Sequence, residues 1–172
     1  KSNPKVSIQS EHAHNGQKLT LTVLSLATKK DTVIVVNDYC PVVKTLTDVQ
    51  KPAGYLIPKQ NKELIDWAGR QSFTTFEFKK QKNQKIEQYT ITRIDSIDFE
   101  REIIINPIVA AHEFKGEISP ADYIYIPAAQ LKGNLLILAL EPKSELGLVT
   151  YKQFAHLIKV GETFPVLRVE KK

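Results

Sequence analysis

Cysteine, glycine and methionine are scarce or missing in this chain of 172 residues, and each shortage excludes something. The single cysteine, Cys40, excludes an intramolecular disulfide framework and any zinc site built from several cysteines. Only seven glycines are present, which argues against glycine loops that cradle phosphate groups. The absence of methionine, with Lys1 as first residue, predicts an excised fragment or a processed chain from which a signal peptide could have been removed.

Long apolar runs and dense basic clusters are also missing. No apolar stretch approaches the ~18 residues that a membrane-spanning helix needs, so we expect no membrane span. The net charge is +5, but the lysines are scattered along the chain, as is typical of a solvated surface. Without basic clusters and interleaved aromatic residues, we expect no nucleic-acid partner.

Complete catalytic motifs are absent as well. None of the four histidines is followed three residues later by glutamate, and no Gly-x-Ser-x-Gly or phosphate loop occurs. His12 and His14 could share one face of a strand and bind a metal, but the sequence identifies no third ligand. Because Asn15-Gly16 follows them, we favour two solvated side chains at the mouth of a hairpin.

Two further groups could be catalytic only if the fold brought partner residues close to them. His112-Glu113 could act as a general base pair, and Cys40 could be a nucleophile if a base lay nearby. The favoured interpretation is an ordinary surface histidine and an inert structural thiol. An unrecognised hydrolase that uses Cys40 or His112 therefore stays open as a minor hypothesis.

The residue patterns predict an α+β fold with a mixed, largely antiparallel sheet. Two main helices are expected, over about 61–69, where Asn61 can cap the first turn, and over 130–140. The predicted strands cover 6–9, 19–26, 32–36, 54–57, 73–78, 86–94, 99–111, 123–126 and 164–169. A β-rich N-terminal segment with a connector would occupy 1–50 and an α+β domain 51–172, and the two could form one compact unit.

Several local expectations follow from this pattern. Strand 19–26 should be half-buried and strand 32–36 buried, and 37–52 should be an extended connector. The strand–helix–strand unit over 55–78 would cross over in the right-handed sense if its strands are parallel. Residues 95–98 should form a turn, and Pro107 should interrupt or bend the strand that follows.

The segment 130–140 has two possible structures. Its length allows a three-turn helix, which Gly133 weakens by roughly 1 kcal/mol relative to alanine. A turn at 132–134 followed by a buried strand is the alternative, which periodicity alone does not exclude. In both cases the run Leu135-Leu-Ile-Leu-Ala-Leu140 should be mostly buried. Glu141 follows it, and its expected partner is the backbone or an arginine such as Arg168.

One segment in the first half of the sequence and a group of segments near its end resemble a known family. Lys51-Pro-Ala-Gly-Tyr-Leu-Ile-Pro58, followed by a helix, resembles a segment found after the catalytic domain of bacterial zinc carboxypeptidase-like metallopeptidases. The closing block of those proteins is similar to Tyr123-Ile-Tyr-Ile-Pro127, Gln130, Leu140-Glu-Pro-Lys-Ser144, Gly147-Leu-Val149 and Phe164-Pro-Val-Leu-Arg-Val169. Phe164 stands where tyrosine is expected, and Tyr151 where tryptophan is common.

The resemblance implies a non-catalytic C-terminal accessory region. The family's zinc ligands and general base lie in an upstream domain, and none of those motif residues maps onto this chain. We therefore expect no cofactor here, zinc only in that upstream domain, and a parent that acts outside the cytoplasm on peptides or cell-wall material. Residues that could contact substrate or the upstream domain are Tyr55, Gln130, Glu141, Ser144 and Arg168.

A second functional class is a free-standing module that binds a ligand or polymer. Residues 5–36 could form an immunoglobulin-like or similar set of strands beside the mixed domain. This hypothesis predicts a cluster of exposed aromatic side chains on one face.

Overall fold

A computed structural model describes residues 4–171 of the chain. Within these residues the protein has nine strands and two α-helices, which confirms the predicted α+β class. The elements are β1 (Lys5–Ala13), β2 (Leu19–Leu24), β3 (Asp31–Val36), β4 (Val42–Gln50), β5 (Gly54–Pro58), α1 (Lys62–Arg70), β6 (Ile86–Phe99), β7 (Glu102–Glu113), β8 (Tyr123–Pro127), α2 (Gly133–Leu140) and β9 (Leu167–Val169). Two short 3-10 turns, Leu148–Thr150 and Ala155–Leu157, lie between α2 and β9.

A five-stranded antiparallel sheet in the order β7-β6-β9-β5-β8 forms the body of the molecule. The last strand in the chain, β9, is therefore central, between β5 and β6. Strand β5 is buried along its whole length. The main core joins it to the inner face of α1, to α2 and to the 3-10 turns.

Helix α1 forms where the sequence predicts it. The Asn61 side chain accepts the backbone N–H of Leu64 at 3.2 Å, as an N-cap residue does. Leu64, Trp67 and Ala68 lie on the buried face of the helix. The ring of Trp67 packs against Phe73, with 5.4 Å between the ring centroids, and fixes the segment that follows the helix.

Helix α2 decides between the two predicted structures for 130–140 in favour of the helix, but it starts at Gly133. Residues before it form a turn, in which the Gly133 N–H donates to the carbonyl of Gln130 at 2.9 Å. Gly133 is required there because a β-carbon would lie 1.9 Å from the carbonyl oxygen of Ala128. The apolar run is mostly buried as predicted, with Leu135 its one exposed member.

The hairpin predicted at Asn15-Gly16 is wrong, and so is the connector over 37–52. Strand β1 pairs with β4, with Val6 opposite Val49 and His12 opposite Val43, while β2 pairs with β3. The Asn-Gly signal specifies a local turn, and Gly16 does have a positive φ of 79°. It does not specify which strand pairs with β1.

The strand predicted over 73–78 is not a strand in the structure. In this segment only Phe76 forms a bridge, to Tyr125 of β8. Because β5 also runs antiparallel to β8, the chain at Phe76 runs parallel to β5 with β8 between them. The second strand of the predicted strand–helix–strand unit is therefore not formed, and only Phe76 joins the edge of the sheet, next to β8.

The turn predicted at 95–98 lies instead at Glu100 and Arg101, which both have positive φ. Strand β6 continues through 95–98 to Phe99. The Asp98 carboxylate accepts the N–H of Arg101 at 2.9 Å and closes the turn. Pro107 does not interrupt β7, which is an edge strand, where proline is tolerated because alternate N–H groups face away from the sheet.

The β2–β3 hairpin is more exposed than the sequence predicts. The sequence predicts a half-buried strand over 19–26 and a buried strand over 32–36, yet β2 and β3 contain no buried residue. The β-branched composition of β3 reflects strand propensity, and that propensity does not specify what covers the strand.

Candidate functional site

Three of the five predicted site residues meet around one buried carboxylate, that of Glu141. Glu141 ends α2 with an extended backbone, and 2% of its surface is exposed. The Tyr55 hydroxyl from β5 donates to one carboxylate oxygen at 2.6 Å. The Tyr89 hydroxyl from β6 donates to the other at 2.9 Å. Arg168 of β9 places its Nε 3.3 Å from the carboxylate, which confirms the expected arginine partner.

Arg168 joins this carboxylate to two other elements. Its guanidinium donates to the carboxylate of Glu87 on β6 and to the backbone carbonyl of Gln50 at the end of β4. The Nε group makes no well-directed hydrogen bond, so its interaction with Glu141 is an ion pair only. One arginine therefore holds the N-terminal strand pair against the centre of the main sheet.

Burial and charge determine the protonation of this cluster. Burial raises the pKa of the Glu141 carboxyl, although the Tyr55 hydroxyl, Arg168 and the Tyr89 hydroxyl all oppose the shift. Burial also raises the pKa of both tyrosines, and the nearby charge of Glu141 raises them further. For Arg168, burial lowers the pKa, but the charge of Glu141 outweighs it and the net shift is upward. The tyrosines are thus neutral donors and Arg168 is a cation.

The other two predicted residues lie on either side of α2 and belong to separate hydrogen bonds. The Gln130 amide accepts the N–H of Thr74 at 3.1 Å and donates to the carbonyl of Pro127 at 2.7 Å. The Ser144 hydroxyl is buried and accepts the N–H of Leu146 at 3.2 Å. Both side chains order the loops that enter and leave the helix.

Sequence reasoning missed Tyr89 and Glu87. Both lie on β6 and are two residues apart, so the alternation of a strand could have predicted that they share one face of the sheet. The pattern could not show that this face of β6 meets the end of α2. Arg168, together with Gln50, Lys51 and Pro52, also lines a cavity of about 350 Å³, where 7% of the Arg168 surface is exposed. A substrate or interdomain contact by Arg168 or its neighbours stays a prediction.

Neither the candidate pair His112-Glu113 nor the remaining histidine, His156, is part of the Glu141 cluster. His112 is exposed and lies 3.5 Å from the hydroxyl of Thr90. Glu113 follows it on β7, so their side chains point to opposite faces of the sheet. His156 lies 3.5 Å from a carboxylate oxygen of Glu63.

Ligand atoms of His14, Asp38 and Cys40 do come together, within 4.8 Å of one another. Asp38 and Cys40 lie in the segment between β3 and β4, next to the end of β1. They are the partners that the sequence alone could not assign to His14.

The fold defines the chain as an α+β protein in which a buried network of tyrosine, glutamate and arginine links the central strands of the sheet to the end of α2. Comparison with protein-family models, with curated proteins and with solved structures finds no significant match. Across residues 4–171, no helix is both long and apolar enough to cross a membrane.

Proposed function

We propose that the chain is a non-catalytic accessory domain of a zinc carboxypeptidase-like protein and that it packs on the upstream peptidase domain through the β2–β3 hairpin. The segments around Tyr55 and Glu141 support the family assignment. On the same resemblance, the parent protein would lie outside the cytoplasm and act on peptides or cell-wall material. The catalytic zinc would belong to the upstream domain.

The observation that carries this proposal is the exposed apolar face of the β2–β3 hairpin. Residues directly opposite each other share a face, and the register pairs Leu19 with Val36 and Leu21 with Ile34. Leu21 and Ile34 are 41% and 48% exposed. An isolated two-stranded hairpin is marginally stable in water, and an apolar face of this kind is typical of an interaction surface. A neighbouring domain of the same polypeptide would cover it.

The buried network supports a structural role for the closing block. Glu141 and Arg168 interact with each other and with groups from three other strands, and both are more than nine-tenths buried. Groups so placed hold the sheet, the helix end and β4 together. The upstream domain would then pack on a rigid domain.

The alternative, a free-standing polymer-binding module, has less support. It predicts a cluster of exposed aromatic side chains. Within residues 4–171, Phe76 and Tyr151 are the exposed aromatics, and the two aromatic ring contacts involve other residues. A polymer platform would need several rings in a row.

Amide hydrogen exchange tests the docking surface. We expect the β2–β3 amides to exchange fast in the isolated chain and slowly in a polypeptide that includes the peptidase domain. Ile34→Lys should abolish the added protection, because a lysine would be desolvated at the interface. Ile103→Lys is the matched control, since Ile103 is an exposed isoleucine on β7.

Peptidase assays test the non-catalytic assignment. The purified chain, with and without added zinc, should not release C-terminal residues from peptide substrates. Turnover by the pure chain would overturn the assignment. Equal exchange of the β2–β3 amides in the two contexts would overturn the docking surface.

A further inference from the structure

We infer that His14, Asp38 and Cys40 form a binding site for a zinc-class divalent cation, independent of the proposed function. The His14 Nε2 lies 2.9 Å from an Asp38 carboxylate oxygen, and the Cys40 Sγ lies 4.0 Å from the same oxygen. Ligand atoms around a tetrahedral zinc ion, at ~2.0–2.3 Å from the metal, are roughly 3.3–3.5 Å apart. Small side-chain rotations would therefore place all three on one ion.

Backbone carbonyls orient the imidazole for this role. The Nδ1 of His14 lies 3.2 Å from the carbonyl oxygen of Tyr39, a distance at which Nδ1–H donates. That hydrogen bond leaves Nε2 as the nitrogen that faces the carboxylate and would bind a metal. Metal-binding histidines commonly have their other ring nitrogen held in this way. His12 makes the equivalent contact to the carbonyl of Cys40, also at 3.2 Å, and holds the segment 38–40 beside the end of β1.

The ligand set selects the class of ion. One imidazole nitrogen, one carboxylate oxygen and one thiolate suit zinc and its close analogue cobalt, whereas Mg²⁺ and Ca²⁺ prefer oxygen ligands alone. The site is open, since the side chains of His14 and Asp38 are 55% and 89% exposed. An ion can enter freely, and water would complete a four-coordinate shell.

A cysteine nucleophile fits the same residues less well. A base for Cys40 would have to face its thiol, but Nε2 of His14 faces the carboxylate of Asp38 and Nδ1 faces the carbonyl of Tyr39. The carboxylate of Asp38 contacts both the imidazole and the thiol, which is the arrangement of converging ligands and not of a relay from acid to base to nucleophile.

Cobalt titration of the reduced chain tests the site. Bound Co²⁺ should give a thiolate-to-metal absorption band at one ion per chain, and Zn²⁺ should remove the band by competition. Cys40→Ser should abolish the band. His14→Ala and Asp38→Asn should weaken cobalt binding by about 10–100-fold or more, because loss of a direct ligand costs at least as much as loss of an orienting group.

Controls separate this site from general histidine binding. His112→Ala and His156→Ala remove exposed histidines elsewhere and should leave the cobalt affinity unchanged. Circular dichroism should show that every variant is folded. The site is overturned if the native chain gives no thiolate band, if His14→Ala binds cobalt as tightly as the native chain, or if the control variants lose as much affinity.

Discussion

At the scale of single residues, the burial of Glu141 requires the donors that surround it. A buried carboxyl without partners would cost several kcal/mol, so a stable fold places polar groups around it. Tyr55 and Tyr89 supply hydroxyl groups, and Arg168 supplies a positive charge. The four residues come from β5, β6, α2 and β9, so the network joins elements that are distant in sequence.

Removal of one donor should reveal this dependence. Tyr55→Phe removes the hydroxyl at 2.6 Å from Glu141 and leaves a buried carboxyl partly unsatisfied. We expect the free energy of unfolding to fall by about 1–3 kcal/mol, measured by urea denaturation. Tyr125→Phe is the matched control, because the Tyr125 hydroxyl donates to the neutral carbonyl of Ala53 at 3.0 Å.

In the control variant Tyr125→Phe, the free energy of unfolding should fall by only about 0.5–1.5 kcal/mol, the net contribution of an ordinary hydrogen bond. Equal losses in the two variants would show that Tyr55 contributes no more than a neutral hydrogen bond. The carboxyl of Glu141 would then need less support than its burial suggests.

At the scale of elements, the two helices place glycine in opposite environments. Gly69 lies near the end of α1, and a β-carbon there would meet no atom within 4 Å. Gly133 begins α2, and a β-carbon there would lie 1.9 Å from a backbone oxygen. Helix propensity favours alanine at both positions, but packing permits it at only one.

The same substitution should therefore have opposite effects at the two sites. Gly69→Ala should raise the free energy of unfolding by about 0.5–1 kcal/mol, because alanine loses less backbone entropy in a helix. Gly133→Ala should lower it by about 1–3 kcal/mol, because α2 must move away from Ala128. Thermal and urea unfolding measure both changes, and a stabilised Gly133→Ala variant would contradict the close approach.

At the scale of the whole molecule, side-chain bonds join the N-terminal strands to the α+β body. The Glu145 carboxylate accepts both the N–H and the hydroxyl of Ser10 at 3.0 Å. The Gln9 amide donates to Asn106 on β7 at 3.0 Å. With the bond from Arg168 to the Gln50 carbonyl, these contacts connect β1 and β4 to the loop after α2, to β7 and to β9.

We expect β1 and β4 to unfold together with the α+β body in one cooperative transition. Far-ultraviolet circular dichroism reports all strands, while the fluorescence of Trp67, the only tryptophan, reports the main core. The two urea curves should coincide, as two-state behaviour requires. Glu145→Gln should shift both midpoints downward together. A dichroism change at lower urea than the fluorescence change would show that the N-terminal strands unfold alone.

The helices and most strands could be predicted because their signals are local. Asn61 specifies the start of α1, and the spacing of Leu64 and Ala68 specifies its buried face. The partner of β1 could not be predicted, because pairing with β4 depends on where the intervening hairpin directs the chain. In the candidate site, Arg168 was predicted as a partner of Glu141, but Tyr89 and Glu87 were not.

The sequence by itself determined the α+β class, helix α1 and the burial of the run before Glu141, since these follow from periodicity, capping and hydrophobicity within short windows, but it left helix and strand open for that run. Only the tertiary structure decided which strands are adjacent, that the apolar β2–β3 hairpin is exposed, and that Asp38 and Cys40 lie beside His14. The physical reason is that side chains distant in sequence meet only when sheet register and loop paths bring them together, and no local pattern encodes those distances.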